Sequence, residues 1–406
     1  MSTFFWTLPK QNVKNLNKHA VVDLIRFTSG GISRIELSRQ MNLTRAAITT
    51  IVSDLQLTGL VREIEAHYPS GRRPIVLEIN PDRGYVLGID MGATHVTILI
   101  ADFSAKVVRE MDEPFDINDG PSVCLPRIES LVKQILSEAG LTIKDISAVG
   151  AGVPGPVVEG GGVSGPPIMP GWDGYPIRDD LEARFGVPVS LSNDAELGAI
   201  GEWAYGAGRG ERNLAYIKVG TGIGAGLLLD GQILRGASGS AGEIGHITID
   251  ENGPICSCGN RGCLEALAGG RAISDQAIRE VRNGRRTILS EINPVDKIRS
   301  RDIIAAARRG DLVSQQIVSE AGVHLGTALA SLVNLFNPSM VVVGGGVAQI
   351  GDLLLEPIRQ TVHERSLLPA SRSVRITSAL LGRRSSAMGA VVQALSIVLH
   401  QLADHG

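Results

Sequence analysis

The run Tyr85-Val-Leu-Gly-Ile-Asp-Met-Gly-Ala-Thr94-His-Val-Thr-Ile-Leu-Ile-Ala-Asp-Phe103 decides how the rest of the chain is read. An apolar stretch ends at Asp90, a glycine-containing turn follows, and a second apolar stretch leaves it. That is a strand, a tight turn and a strand, with an acidic residue at the turn. The pattern returns at Leu214-Ala-Tyr-Ile-Lys-Val219, Gly220-Thr-Gly-Ile-Gly224 and Ala225-Gly-Leu-Leu-Leu-Asp230, 130 residues on when counted from Asp90 to Gly220. Two such units predict a duplicated α/β body whose lobes face each other across a cleft, each offering backbone donors to phosphate. Asp90, Gly92 and Thr94 in the first turn, and Gly220, Thr221, Gly222 and Gly224 in the second, are the candidate phosphate contacts. A third glycine run, Gly344-Gly-Gly346, follows the apolar Met340-Val-Val-Val343 and brings Gly345 towards an adenosine.

Composition agrees with an α/β chain of several domains. At ~100–200 residues per domain, 406 residues predict two or three. The 43% hydrophobic and 20% charged residues exclude a disordered or fibrous chain. Glycine is high, at 49, and aromatics are low, at 4%, as suits a fold with many close backbone approaches. No apolar run reaches the ~18 residues of a membrane span, and no export signal opens the sequence, so a cytoplasmic protein is expected.

Charge is divided unevenly. Residues 1–80 carry a net +4 and the remainder −7, which points to an anionic partner for the head alone. Three helical blocks follow one another there. The first covers residues 13–27, with Ala20, Val21, Leu24 and Ile25 on one face; the second opens at Ser33 with a capping box to Glu36; the third begins at Thr44 after a short turn. Two helices joined by so short a turn form a helix-turn-helix, whose second helix enters a DNA major groove. Arg34, Thr44, Arg45 and Thr49 are the candidate DNA contacts on the helices. Beyond Gly59, two strand-like segments flank Tyr68-Pro-Ser-Gly-Arg-Arg-Pro74, a wing that places Arg72 and Arg73 against phosphates or a minor groove. A three-helix adaptor that binds protein is the alternative for this region.

Between the two turns, Val187-Pro-Val-Ser-Leu-Ser-Asn-Asp194 puts Asp194 at the carboxyl end of a strand, where open α/β sheets carry their chemistry. An aspartate there can take the proton of a sugar hydroxyl attacking a γ-phosphate; an Asn-Asp helix cap is the alternative. The densest signal comes next. His246, Cys256, Cys258 and Cys263 have the residue types and spacing of a closed tetrahedral zinc site, with no position left open for hydrolysis. A structural Zn²⁺ would pin the loop 246–263 and orient His246 beside Glu243, with Glu265 on the same element.

The colinear run DMGAT, GVPGP, MPGWDG, SND, GTGIGAG, GEIGH and CSCGNRGCLE resembles the ROK family (repressors, open reading frames and kinases) over residues 84–395. The head is similar to that of its transcriptional-regulator branch. The resemblance implies an α/β two-lobed actin-like (ribonuclease H-like) sugar-kinase fold preceded by a winged helix-turn-helix domain. The head would span 1–80, the first lobe 84–195 and the second 196–385, with a last helix at 386–402 returning to the first lobe. It implies Asp194 as the kinase base, Asn193, Glu243, His246 and Glu265 as sugar contacts, and the phosphate turns as a seat for ATP–Mg²⁺. It implies a dimer or tetramer on a pseudo-palindromic operator. Two departures stand out: Ala93 and His95 replace a glycine and a lysine of the usual Asp-x-Gly-Gly-Thr-Lys turn, and Ile168 replaces a polar sugar contact. The expected function is a sugar-responsive repressor of carbohydrate genes, of xylose, glucose or N-acetylglucosamine type. An ATP-dependent sugar kinase with an auxiliary head is the alternative.

Overall fold

The computed structural model describes residues 13–65, 74–158, 160–164 and 169–405. The head comprises α1 (Val13–Phe27), α2 (Arg34–Met41), α3 (Arg45–Leu57) and the antiparallel pair β1 (Val61–Glu65) and β2 (Ile75–Ile79). The predicted capping box is present: the Ser33 hydroxyl accepts from Glu36 N, and the Glu36 carboxylate accepts from Ser33 N. Asn42, at φ 54°, ends α2 in the left-handed conformation, and Thr44 caps α3, so the turn between them is only three residues long. Ile32 bridges Leu77 and ties the start of α2 to the wing sheet. Arg72 and Arg73 lie outside the described residues.

The body repeats one sheet order. β3 (Tyr85–Met91), β4 (His95–Asp102) and β5 (Val107–Pro114) form an antiparallel meander, which β6 (Ile146–Val153) continues in parallel. A two-residue ribbon, β7 (Val157–Val158) with β8 (Gly162–Val163), stands apart, and β9 (Val189–Asn193) completes the order β5-β4-β3-β6-β9. In the second lobe β10 (Leu214–Val219), β11 (Ile223–Leu229) and β12 (Gln232–Ile233) form the meander, and β13 (Met340–Gly344) and β14 (Arg375–Ser378) run parallel, giving β12-β11-β10-β13-β14. α4 (Pro121–Glu138) and α5 (Ile177–Phe185) cover the outer face of the first sheet. α7 (Leu264–Ala268), α8 (Gly270–Arg282), α9 (Ser300–Arg308), α10 (Leu312–Phe336) and α11 (Asp352–Arg365) build on the outer face of the second, with α12 (Leu368–Ser373) after α11.

Between the sheets lie α6 (Asp194–Tyr205) and α13 (Ser385–Asp404). They cross so closely that a Cβ at Gly389 would fall 1.9 Å from the Leu197 carbonyl oxygen, and one at Gly201 would fall 2.1 Å from that of Ser385. Glu202, fully buried, fastens the crossing: its carboxylate accepts from Leu380 N, Leu381 N, Ala207 N and the Ser385 hydroxyl. The segment Gly382–Asp404 is the one candidate membrane span by length and hydropathy among the described residues, and 83% of its apolar window is buried inside the protein.

α13 also meets the head, which the sequence reading did not anticipate. Of the face expected on α1, Val21 and Ile25 are buried, Ala20 and Leu24 only partly, and the buried set extends to Lys18, His19, Asp23 and Arg26. Lys18 pairs with Asp54 of α3 at 3.3 Å, and the other three meet α13. Arg26 donates to the Val392 carbonyl and the Ser396 hydroxyl, His19 is 2.7 Å from Asp404, His400 is 3.2 Å from Asp23, and the two imidazoles stack at 4.2 Å. One apolar cluster runs from Ile48 and Leu55 of the head through Met388 and Leu395 to Val86 and Leu99 of the first sheet.

Two outcomes follow from this packing. Gly389→Ala should cost about 1–3 kcal/mol, because backbone on the facing helix must move; an unchanged denaturant midpoint would contradict the crossing. Burial first, and the neighbouring His400 second, hold the His19 pKa below 6.5 against the pull of Asp404. Neutral His19 therefore contributes stability above pH 6.5 that is lost as pH falls below it. The thermal midpoint should drop between pH 7.5 and 5.5, and less steeply in His19→Gln; burial lowers His95 and His324 as well, so some slope stays. Equal slopes in the two proteins would exclude His19 as a contributor.

Candidate functional site

The cleft is lined where β3, β10 and α6 converge. Asn193 is the N-cap of α6, with Oδ1 accepting from Ala195 N and Glu196 N and Nδ2 donating to the Gly155 carbonyl. Asn193 is thus largely consumed in holding the strand–helix junction. Asp194, the first residue of α6, is buried, and its carbonyl accepts from the Ser386 hydroxyl at 2.8 Å. A Cβ at Gly226 would stand 2.3 Å from the Ala195 carbonyl, which shows how closely the start of α6 rests on β11.

The residue that joins the two turns is Lys218, absent from the sequence-based set. Its Nζ lies 2.9 Å from Asp194 Oδ2, 3.2 Å from Asp90 Oδ2 and 3.2 Å from Ser386 Oγ. The cross-strand neighbours of Lys218 are Gly224 and Gly344, neither with a side chain to obstruct it. Burial works to discharge this ammonium, but Asp194 and then Asp90 outweigh it and hold its pKa above the ordinary lysine value. Burial pushes the Asp194 carboxyl above its usual range, with Lys218 opposing and Asp90 adding to the rise. The second Asp90 oxygen, Oδ1, is buried without a hydrogen-bond partner, close against Gly152.

Of the two candidate phosphate turns, the second is held from behind. Gly220 N bonds the Gly222 carbonyl, Glu265 Oε2 accepts from Ile223 N at 3.0 Å, and the Gly220 and Thr221 carbonyls accept from Gly270 N and Arg271 N. Thr221 remains exposed, as does Thr94 in the first turn, while Gly92 is buried beside His95. Burial keeps His95 below its ordinary pKa, so a neutral imidazole begins β4. Gly345, at φ 90°, rests on Val219, where a Cβ would meet the carbonyl oxygen at 2.4 Å; this contact alone requires glycine there. Gly224, opposite Lys218 on β11, would stand 3.3 Å from the Ala195 methyl if given a Cβ.

The GEIGH segment faces the same cleft. Glu243 Oε2 is 3.9 Å from His246 Nε2, and burial, reinforced by Asp194 and Glu265 and opposed by His246, raises the Glu243 pKa. On its other edge the ring turns Nδ1 to Cys256 Sγ at 3.7 Å, and Cys258 Sγ stands 3.7 Å from Cys263 Sγ. The four donor atoms of His246, Cys256, Cys258 and Cys263 lie within 4.8 Å of one another, a cluster that can hold a metal ion. Asp194, Glu243, His246 and Glu265, which the family resemblance implies as site residues, stand near one another in the structure, and Lys218 stands with them.

In the head, the candidate residues separate. Arg34 is turned inward, bonded to Glu63 and Gln56, where it fastens α2 to α3 and β1. Thr44 serves α3 as its cap and Thr49 returns its hydroxyl to the Arg45 carbonyl, while both stay exposed. Arg45 is exposed at the first turn of α3.

The likenesses extend over these same regions. The model of the ROK family matches residues 86–396. A xylose repressor of Caldicellulosiruptor bescii is 33% identical over 95% of this chain and 97% of its own length. A glucokinase of Halalkalibacterium halodurans is 34% identical but covers 76% of this chain, with 94% of its own length matched. Among solved structures, a ROK family transcriptional regulator described as a homologue of the Escherichia coli Mlc protein superposes with a TM-score of 0.80 at 29% identity, covering 97% of this chain and all of that one. By its body, and by relatives matched along nearly its whole length, this chain belongs to the ROK family.

Proposed function

We propose that the protein is a sugar-responsive, DNA-binding transcriptional repressor of carbohydrate uptake and metabolism genes. One observation carries this reading: the likeness to a named xylose repressor covers 95% of this chain, which takes in the head as well as the body, whereas the glucokinase likeness covers 76%, about the length of the body. The head supplies a helix-turn-helix with an arginine at the exposed start of its second helix, and the body supplies a cleft where the carboxylates of Asp194, Glu243 and Glu265 stand near the His246 imidazole.

In this reading a monosaccharide binds between the lobes, its hydroxyls donating to Asp194, Glu243 and Glu265 and meeting His246 Nε2. Zn²⁺ is the metal for the Cys₃His set: a tetrahedral ion with Zn–S bonds of ~2.3 Å needs sulfurs about 3.8 Å apart, close to the 3.7 Å between Cys258 and Cys263. Bound there, the ion fixes the His246 ring with Nδ1 on the metal side and Nε2 on the sugar side. Two heads, from a dimer or tetramer, reach the halves of a pseudo-palindromic operator. Sugar-driven closure of the lobes acts on the head through α13, which touches Asp194 and Lys218 at Ser386 and seats Arg26 at Val392 and Ser396. The sugar achieves this only by favouring one of the two shapes.

With an operator duplex obtained by selection from random DNA, Arg45→Ala should weaken binding by about 1–3 kcal/mol and leave monosaccharide affinity unaltered; undiminished DNA affinity would overturn the assignment of α3. D-Xylose, D-glucose and N-acetylglucosamine, tested singly, should include one that releases the duplex from the wild-type protein. Zinc removal by a chelator, or Cys258→Ser, should lower affinity for that sugar about tenfold or more, as loss of a structure supporting a binding ligand does. Full affinity in zinc-free protein would disconnect the loop from the sugar site.

A further inference from the structure

Asp90 and Asp194, the two carboxylates between which a nucleotide-bound magnesium ion or its phosphate would be managed, are already bridged by a cation from the chain itself. We propose that Lys218 is the resident cation of the cleft, excluding a divalent ion and making Asp194 a fixed hydrogen-bond acceptor for a sugar hydroxyl instead of a base that receives its proton. The inference rests on the sugar-binding reading above and assigns the residue that separates sensing from phosphorylation.

The donor count comes first. An ammonium has three N–H donors, and those of Lys218 have three oxygens to meet: Asp194 Oδ2, Asp90 Oδ2 and Ser386 Oγ, at 2.9, 3.2 and 3.2 Å. With these bonds made, none is left for a phosphate oxygen. The acceptors are equally committed. One oxygen of each carboxylate is turned to Lys218, and Asp90 Oδ1 is enclosed beside Gly152. A hard divalent cation needs several oxygens at short range, and here its position carries a positive charge. The residues therefore do not fit ATP–Mg²⁺, the cofactor expected from the family resemblance. The first turn departs in the same direction, with Ala93 and His95 in place of the glycine and lysine that phosphate contact favours.

The proton has no good destination either. In phosphoryl transfer the sugar oxygen forms a bond to the γ-phosphorus, the bond from that phosphorus to the ADP oxygen breaks, and the hydroxyl proton goes to the base. Were Asp194 the base, protonating it would leave the Lys218 ammonium, only 16% exposed, with Asp90 as its sole counter-charge. Breaking a buried ion pair on one side is strongly unfavourable. Asp194 can instead keep Oδ2 on Lys218 and accept a sugar hydroxyl at Oδ1, a contact that binds without reacting.

The test uses the full-length protein and three readouts. Calorimetry with D-xylose, D-glucose and N-acetylglucosamine, together with release of the operator duplex, reports on the repressor reading itself. Product analysis with radiolabelled ATP–Mg²⁺ and the sugar that binds should give no sugar phosphate above the Asp194→Asn control; turnover abolished by Asp194→Asn would overturn the proposal while leaving the sugar site intact. Paramagnetic titration with Mn²⁺ should find no cleft site in the wild type and a new site in Lys218→Met that adding Asp194→Asn removes. A role for Lys218 in stability alone would not create a metal site. Lys218→Arg keeps the charge and should still exclude Mn²⁺. If Lys218→Met does not fold, the wild-type and Lys218→Arg titrations decide: Mn²⁺ bound in either at a site sensitive to Asp194→Asn would refute the resident cation.

Discussion

The close crossing of α6 and α13 is the constraint on which the other features depend. Two helices that approach until backbone meets backbone can be placed only where both partners have glycine, and Gly201 and Gly389 supply it. The buried Glu202 carboxylate then fixes the rotation by taking four donors from the segment that leads into α13 and from the end of α6. With the crossing set, one helix covers the inner face of each sheet, Asp194 is delivered to the cleft, and Ser386 stands against it. The catalytic-looking geometry and the connection to the head are two ends of the same pair of helices.

Much of this was legible because the signals were local. The capping box, the short turn after α2 and the two Gly-Thr turns are each written within a few residues, and the family resemblance supplied the order of the lobes. The His-Cys cluster was equally plain, since short loops rich in glycine fold around their own ligands. What escaped depended on distance in the chain. Lys218 meets Asp194 24 residues away and Asp90 128 residues away, so nothing adjacent announces it. One sign was available: a lysine inside the apolar strand Leu214-Ala-Tyr-Ile-Lys-Val219 has to be buried, and buried lysines are paired. Asn193, a sugar contact by family resemblance, caps α6 as the alternative reading of Asn-Asp has it, and Arg34, a DNA contact by its place on the helix, is bonded to Glu63 and Gln56. The polar side of α1 was missed because helical periodicity registers only apolar faces.

The two acidic residues of the cleft illustrate how one scaffold serves different ends. A pair of first-lobe carboxylates at the cleft can attract a metal-bound nucleotide, or can be satisfied from within by a lysine on a strand of the opposite sheet. The second arrangement keeps the acceptors that recognise hydroxyls while removing the electrostatic vacancy that draws in a dication. A single strand position, flanked by glycines on both sides, decides between them.

Because the head contributes to a hydrophobic core that continues into the first sheet, it is not an exchangeable module. A head grafted from a distant relative would bring its own first helix, whose charges would have no reason to match Asp404, His400 and the carbonyl of Val392. The solvent side of α3 is free of that constraint, since Arg45, Ala46, Thr49 and Thr50 are exposed there and take no part in the junction. The opposite side of the head is bound to the last helix of the chain: His19 and Asp404 are separated by 385 residues yet lie 2.7 Å apart, so a change at either one leaves the other without this partner.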